Sequence, residues 1–263
     1  MNESPFFISS PQNLKYKMWE SLMTTKGRHK ESLFILSGEK IIADFLHDGG
    51  PARFPVKAVL IPKNFALNAI ASIKNDPHLN SPALYFTLDT ALFKELDLFG
   101  TRFPLLICQK PEENEVQVLD RPQGLELVLP LTDPANMGAL CRTALSFNVR
   151  RIILTPNASD PFHPKALRAS SGATLKLEFR FLNVNDVTLT SDDYGLDLSG
   201  ESIYKFPWPE NLRLWLGEEG QGLKNSFLDK NKIHIPIHSM ESLNATVAGS
   251  IAIYSYSQRF NKI

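Results

Sequence analysis

Cysteine is scarce: Cys108 and Cys141 are the only two in the chain. That excludes a disulfide-stapled framework and points to a reducing compartment. No apolar run reaches the length of a membrane span, and the opening MNESPFFISS has neither the basic start nor the long apolar core of a signal peptide. The expected location is therefore cytoplasmic, with no membrane partner. Excess charge is also missing, since 28 Lys plus Arg stand against 28 Asp plus Glu. Any contact with nucleic acid must come from a local patch. HExxH, clustered CxxC, paired-carboxylate and GxSxG patterns do not occur, and neither do the Walker or GxGxxG phosphate loops. Metal and hydrolase readings are poor, and a dinucleotide-dependent oxidoreductase lacks its fingerprint. His234 and His238 face the same way on a predicted strand but stand about 13 Å apart, too far to share a metal.

What is present is an ordinary globular composition, 43% hydrophobic and 21% charged over 263 residues, enough for two cores. Residues 1–110 alternate predicted strands (ESLFIL, VKAVLIP, ALYFTL, FPLLICQ) with predicted helices, which reads as a small α/β domain. One helix is expected over 11–25, with Leu14, Met18 and Leu22 as its apolar stripe; others are GEKIIADFLHDGG and stretches starting at Phe65 and Thr90. KGRHK reads as a basic loop. This half carries 13 Lys plus Arg against 10 Asp plus Glu, and Lys15, Lys17, Lys26, Arg28 and Lys30 form either a nucleic-acid patch or a solvated surface. Residues 111–124, acidic and with two prolines, read as a linker. From 125 to 263, strands LELVLPL, RIILTP, LKLEFRFL, YGLDL, LRLWLG and IHIPI alternate with helices. The expectation is a mostly parallel sheet covered by helices, with ligands at the carboxyl ends of strands.

Three loops sit where predicted strands end. In LTDPANMGALCRTA, the residues Met137, Leu140, Cys141, Ala144 and Leu145 make a buried stripe, and Arg142 lies off it, about one and a half turns beyond Asn136. LWLGEEGQGL runs an apolar strand into Gly217, Glu219 and two further glycines, whose backbone can approach a ligand closely. Ile233–Ser257 reads as strand, loop and helix. Leu243, Val247, Ile251 and Tyr254 form one stripe of that helix; Ala245, Ala248, Gly249 and Ala252 form a second, of small residues, where another helix could approach closely. Ser242 or Asn244 could cap the helix, or serve a ligand there.

Taken together, DPANMGALCRTA, LWLGEEGQGL and IPIHSMESLNATVAGSIAIY closely resemble motifs 1, 2 and 3 of the SpoU (TrmH-like) RNA ribose 2'-O-methyltransferases of the SPOUT superfamily, in the family's order. SSGAT at Ser170–Thr174 resembles a further family segment. SLFILSGEKIIADFLHDGG resembles the start of the small L30e-like substrate-binding domain often fused in front. The resemblance implies an α/β C-terminal domain with a deep trefoil knot, an exception to the rule against threaded chains. It implies S-adenosylmethionine as cofactor, held at Gly217, Ile235 and Leu243, a homodimer through the C-terminal domain in keeping with the small-residue stripe, and RNA, ribosomal or transfer, as substrate. Asn136, Arg142, Glu219, Ser242 and Asn244 match the family's polar active-site positions. The family gives Arg142 the task of handling the hydroxyl proton; because an arginine stays protonated, orienting the hydroxyl and phosphate suits it better. The resemblance implies no metal. Two alternatives stay open, an RNA-binding protein of this fold without turnover and a methyltransferase acting on a base nitrogen.

Overall fold

The computed structural model describes residues 6–65, 84–112, 115–116, 120–182, 189–217, 223 and 231–260. It divides into two compact units, Met1–Glu112 with Phe162–Leu175, and Glu113–Pro161 with Lys176–Ile263. The segment 162–175 is thus grouped with the first unit. The reason is aromatic: Phe162 is buried against Phe34 and Phe54, with ring centroids 5.0 and 5.7 Å away.

The first unit runs β1 (Phe6–Ile8), α1 (Leu14–Ser21), α2 (Thr25–Glu31), β2 (Leu33–Leu36), α3 (Glu39–His47), α4 (Gly50–Arg53), β3 (Val56–Pro62), β4 (Leu84–Leu88), α5 (Thr90–Leu96) and β5 (Leu105–Gln109). Its sheet has the order β1-β4-β3-β5-β2, parallel on the β1 side and antiparallel at β5 and β2. Two local expectations are corrected. In α1 the buried face is Tyr16 and Trp19, continued by Leu22, while Leu14 is 84% exposed. The two aromatic rings bury more area than Leu14 and Met18 could, and they set the helix rotation. KGRHK is helical, not a loop. The Thr24 hydroxyl accepts from the Gly27 N–H, which starts α2, and Ser32 in the left-handed region stops it. Gly27 is required because a Cβ there would lie 1.9 Å from the Ser21 carbonyl oxygen. Arg28 is consequently fully buried and donates to the Leu22 carbonyl at 2.8 Å. It cannot belong to a surface patch with Lys15, Lys17, Lys26 and Lys30. The helical stretch expected from Phe65 lies outside the described residues.

The remainder runs β6 (Glu115–Val116), β7 (Leu125–Leu129), α6 (Pro134–Ser146), β8 (Arg151–Leu154), α7 (Pro164–Ala169, within the first unit), β9 (Glu178–Leu182), β10 (Asp193–Ser202), β11 (Leu212–Trp215), β12 (Lys232–His234) and α8 (Ala245–Phe260). The second unit's sheet has the order β12-β10-β11-β7-β8-β9-β6, with every described pairing parallel. The stretch read as a linker supplies edge strand β6, and its end is tied down: Gln123 N–H donates to Glu126, Gly124 N–H to Asn211, and Arg213 donates to the Asp120 carbonyl. Strand IHIPI is shortened to β12, because Pro236 has no N–H to give the ladder.

Across the amino ends of five neighbouring strands runs a row of alternating charge, Asp193, Arg213, Glu126, Arg151 and Glu178. Arg213, Glu126 and Asp193 are each 1% exposed. Such a row pairs each inner charge on both sides, and Asp193 at its end is also held by Thr190 and the Trp215 indole, which is how the burial is tolerated. Among the described residues, the carboxyl ends of the same strands carry no such row.

Candidate active site

β7 and β11 are neighbours in the sheet, yet the chain leaves them in opposite directions, from β7 through α6 to β8 and from β11 toward β12. Their carboxyl ends therefore flank a topological switch point, where loops diverge and a crevice forms. The Pro130–Asp133 loop leaves β7 there, and Gly217 follows β11. Each α6 residue is placed by the local sequence. Asp133 caps the helix by accepting from Asn136 N–H at 2.8 Å, Pro134 takes the first turn, and Met137, Gly138, Leu140, Cys141 and Ala144 face the sheet. Arg142 is exposed, and its side chain makes no hydrogen bond or ion pair among the described residues. It is an uncommitted cation. Burial pushes the Cys141 thiol far up, which makes it inert.

α8 packs alongside α6 in the same direction. The Thr246 hydroxyl donates to the Asn136 carbonyl at 3.2 Å, Ser250 and Thr143 hydroxyls meet at 3.2 Å, and Phe147 lies edge-on to Tyr254 at 5.7 Å. These three rungs climb both helices together, so the two amino ends lie side by side at the crevice. The small residues make the approach possible: a Cβ on Gly249 would sit 2.8 Å from Leu216 and 3.0 Å from Leu140. The small-residue stripe is thus spent inside the chain. Val247, Ile251 and Tyr254, expected as the other stripe, are 47%, 37% and 51% exposed.

Asn244 caps α8, its side-chain oxygen accepting from Thr246 N–H at 2.9 Å and Val247 N–H at 3.3 Å. Its NH2 remains directed by that cap. Through Thr246, Asn244 and Asn136 are joined into one hydrogen-bonded chain. Ser242 is exposed and Leu243 half-buried just before it. Glu219 and the helix expected after Gly222 lie outside the described residues. Sequence reasoning passed over Thr246 and the pair Thr143–Ser250. A hydroxyl at i+2 from an asparagine cap is the signal that was there to find.

The stretch Ile235–Leu243 has an unusual property. Among the described residues it makes no hydrogen bond, although Ile235, Pro236, Ile237 and Leu243 are half-buried. Partly buried backbone donors and acceptors need partners, and these are not among the described residues. Such a set suits a ligand that offers both an apolar surface and hydrogen-bonding edges. Nearby, at the end of β8, the buried Thr155 hydroxyl also has no partner. No group of three or more metal-ligating side chains occurs among the described residues.

Residues 126–254 match the family model described as the SpoU rRNA Methylase family. A Syntrophobacter fumaroxidans protein named ribosomal RNA small subunit methyltransferase G 2 is 32% identical over 95% of this chain, which spans only 49% of that relative. A Bacillus subtilis protein named 23S rRNA (guanosine(2553)-2'-O)-methyltransferase RlmP is 27% identical, covering 94% of this chain and 97% of its own. Among solved structures, the AdoMet-bound rRNA methyltransferase of Sinorhizobium meliloti superposes with a TM-score of 0.79 over 97% of this chain and 98% of its own, at 19% identity. The SpoU methyltransferase AviRb of Streptomyces viridochromogenes, in complex with AdoMet, gives 0.74 over 94% and 98%, also at 19%. At those identities the structures speak for the fold.

Proposed function

Because this chain belongs to the SpoU rRNA methylase family through residues 126–254, we propose that it transfers a methyl group from S-adenosylmethionine to a ribose 2'-hydroxyl of RNA. Ribosomal RNA is favoured over transfer RNA by the name of the Bacillus relative, matched over nearly its whole length. The observation that carries the reading is the packing of α8 alongside α6 beyond the carboxyl end of β7, which joins Asn136 and Asn244 through Thr246.

When bound, the cofactor supplies an electrophilic sulfonium methyl. Gly217, Ile235 and Leu243 hold it, largely through backbone and apolar surface. Asn136, Ser242 and Asn244 orient the ribose, and Glu219 keeps the glycine loop in register. Arg142 places the hydroxyl in line and neutralises the adjoining phosphate; because it stays protonated, it steers rather than takes the proton, which leaves late for solvent. The paired helix amino ends add positive potential where RNA phosphate would come.

The finer architecture follows the same reading. The second unit is a SPOUT domain with a deep trefoil knot, a reading supported by the place of β11 between β10 and β7 and by the packing of α8 on α6. The first unit is an L30e-like RNA-binding domain, supported by its mixed α/β sheet. The exposed stripe Val247, Ile251 and Tyr254 is the homodimer face, and the protein works in the cytoplasm without a metal.

The test is radiolabelled methyl transfer to ribosomal RNA, with the product nucleoside digested in alkali. An alkali-resistant methylated dinucleotide is expected, and Arg142→Ala should abolish it while S-adenosylmethionine binding holds within about twofold. Label in an alkali-labile position would replace this reading with base-nitrogen methylation. Undiminished turnover by Arg142→Ala would remove that residue from the site.

A further inference from the structure

With Arg28 buried, the basic cluster read from the sequence loses one of its five members, and a different surface of the first unit offers cations of its own. The loop from Asp97 to Phe103 is wound around one carboxylate. Asp97, 5% exposed, accepts from the Thr101 hydroxyl at 3.0 Å and the Arg102 N–H at 2.7 Å, and its carbonyl accepts from Gly100 N–H at 2.9 Å. The acid is turned inward. Gly100 and Arg102 both stand in the left-handed region, at φ +62° and +56°. A non-glycine residue there costs energy and persists only where its surroundings enforce it.

The loop presents Leu98, 44% exposed, and the exposed side chain of Arg102. Phe99 lies between them with the Arg168 guanidinium 4.3 Å from its ring centre. Arg168 is on α7, one helical turn from exposed Lys165. No acidic side chain pairs with Arg102, Lys165 or Arg168 among the described residues. An arginine held flat on an aromatic ring loses little freedom when it binds, while its N–H edges stay open for a planar or tetrahedral anion. Among the described residues, Arg102, Lys165 and Arg168 are three exposed cations without an acidic partner, Arg168 held over a ring and Arg102 set by the loop.

We propose that Arg102, Lys165 and Arg168, set by Phe99 and Asp97, grip the phosphodiester backbone of the RNA substrate. The proposal rests on the methyltransferase reading and extends it. It also gives a task to the segment leading into Ser170–Thr174, which the sequence singled out and the active site does not use.

The experiment uses the full chain and a fluorescein-labelled single-stranded RNA of mixed sequence, with anisotropy read across a series of KCl concentrations. For the double variant Arg102→Gln/Arg168→Gln, affinity should fall about tenfold, and the slope of log affinity against log salt should flatten by about 1.4, the value for two phosphate contacts on a single strand. Lys30→Gln, which removes an exposed charge elsewhere in the same unit, should leave both unchanged. S-adenosylmethionine titration of the same samples verifies the fold and separates the two claims. If the unmodified chain binds cofactor and RNA but the double variant keeps affinity and slope, this surface is not an RNA contact. If the unmodified chain binds neither, the methyltransferase reading falls and this proposal with it.

Discussion

Asp193→Ala strikes the buried charge row at its β10 end. The carboxylate accepts four hydrogen bonds: from Thr190 N–H at 2.8 Å and its hydroxyl at 2.9 Å, from Arg213 at 3.3 Å, and from the Trp215 indole at 2.8 Å. Removing one partner of a buried ion pair costs about 3–5 kcal/mol. Arg213 keeps Glu126 and the Asp120 carbonyl, so the lower end of about 3 kcal/mol applies to the pair. The stranded Trp215 N–H adds about 1 kcal/mol. At roughly 2–4 °C per kcal/mol for a protein of this size, the sum of about 4 kcal/mol lowers the melting temperature by about 8–16 °C. Thermal denaturation followed by tryptophan fluorescence reads this directly. Because Trp215 stands two residues before Gly217, cofactor affinity measured well below the transition should weaken as well. A loss under about 1 kcal/mol would refute the reasoning, since it would mean that the row is screened like a surface ion pair.

Three further outcomes are expected. Asn244→Ala removes the α8 cap, costing about 1 kcal/mol in urea denaturation and lowering methyl transfer more than tenfold; full activity would limit Asn244 to capping. Ile251→Asp puts a charge on the exposed α8 stripe and should turn a dimer into a monomer by light scattering, with the melting temperature of the monomer little changed. A native protein that is monomeric from the start would discard the dimer face. Glu178 is raised by burial but brought below its ordinary value, 4.5, by hydrogen bonds and charge from Arg180 and Arg151. Asp197 is likewise lowered, against burial, by the Ser199 N–H and by Lys232. Carboxylates with depressed native values lend stability above their ordinary values and lose it as pH falls through the native ones. The melting temperature should therefore drop below about pH 4.5, and Glu178→Gln should blunt the drop; an identical pH profile for the variant would sink the assignment.

The alternating apolar segments made the α/β class legible, because period and turn chemistry are local. The first and third motifs were legible for the same reason, each carrying a cap and a helix start in consecutive residues: Asp133 before Pro134, Asn244 before Ala245. The buried stripe of α6 followed from its spacing, and so did the exposure of Arg142. Local signals misled where the deciding partner lay elsewhere in the chain. KGRHK reads as a solvated loop until Ser21 presses on Gly27 and the Leu22 carbonyl claims Arg28. Of the two stripes on α8, no periodicity says which is buried. Leu140 and Leu216, more than a hundred and about thirty residues upstream, choose the small one and leave Val247, Ile251 and Tyr254 outside. The charge row is invisible in sequence because its members come from five strands and meet only when the sheet order is fixed. The Arg168–Phe99 pair likewise exists only because Phe162 docks among Phe34 and Phe54 and carries α7 into the first unit. Local chemistry determined the elements and the motifs; packing between distant segments decided which faces are buried, and therefore which charges are left free to bind.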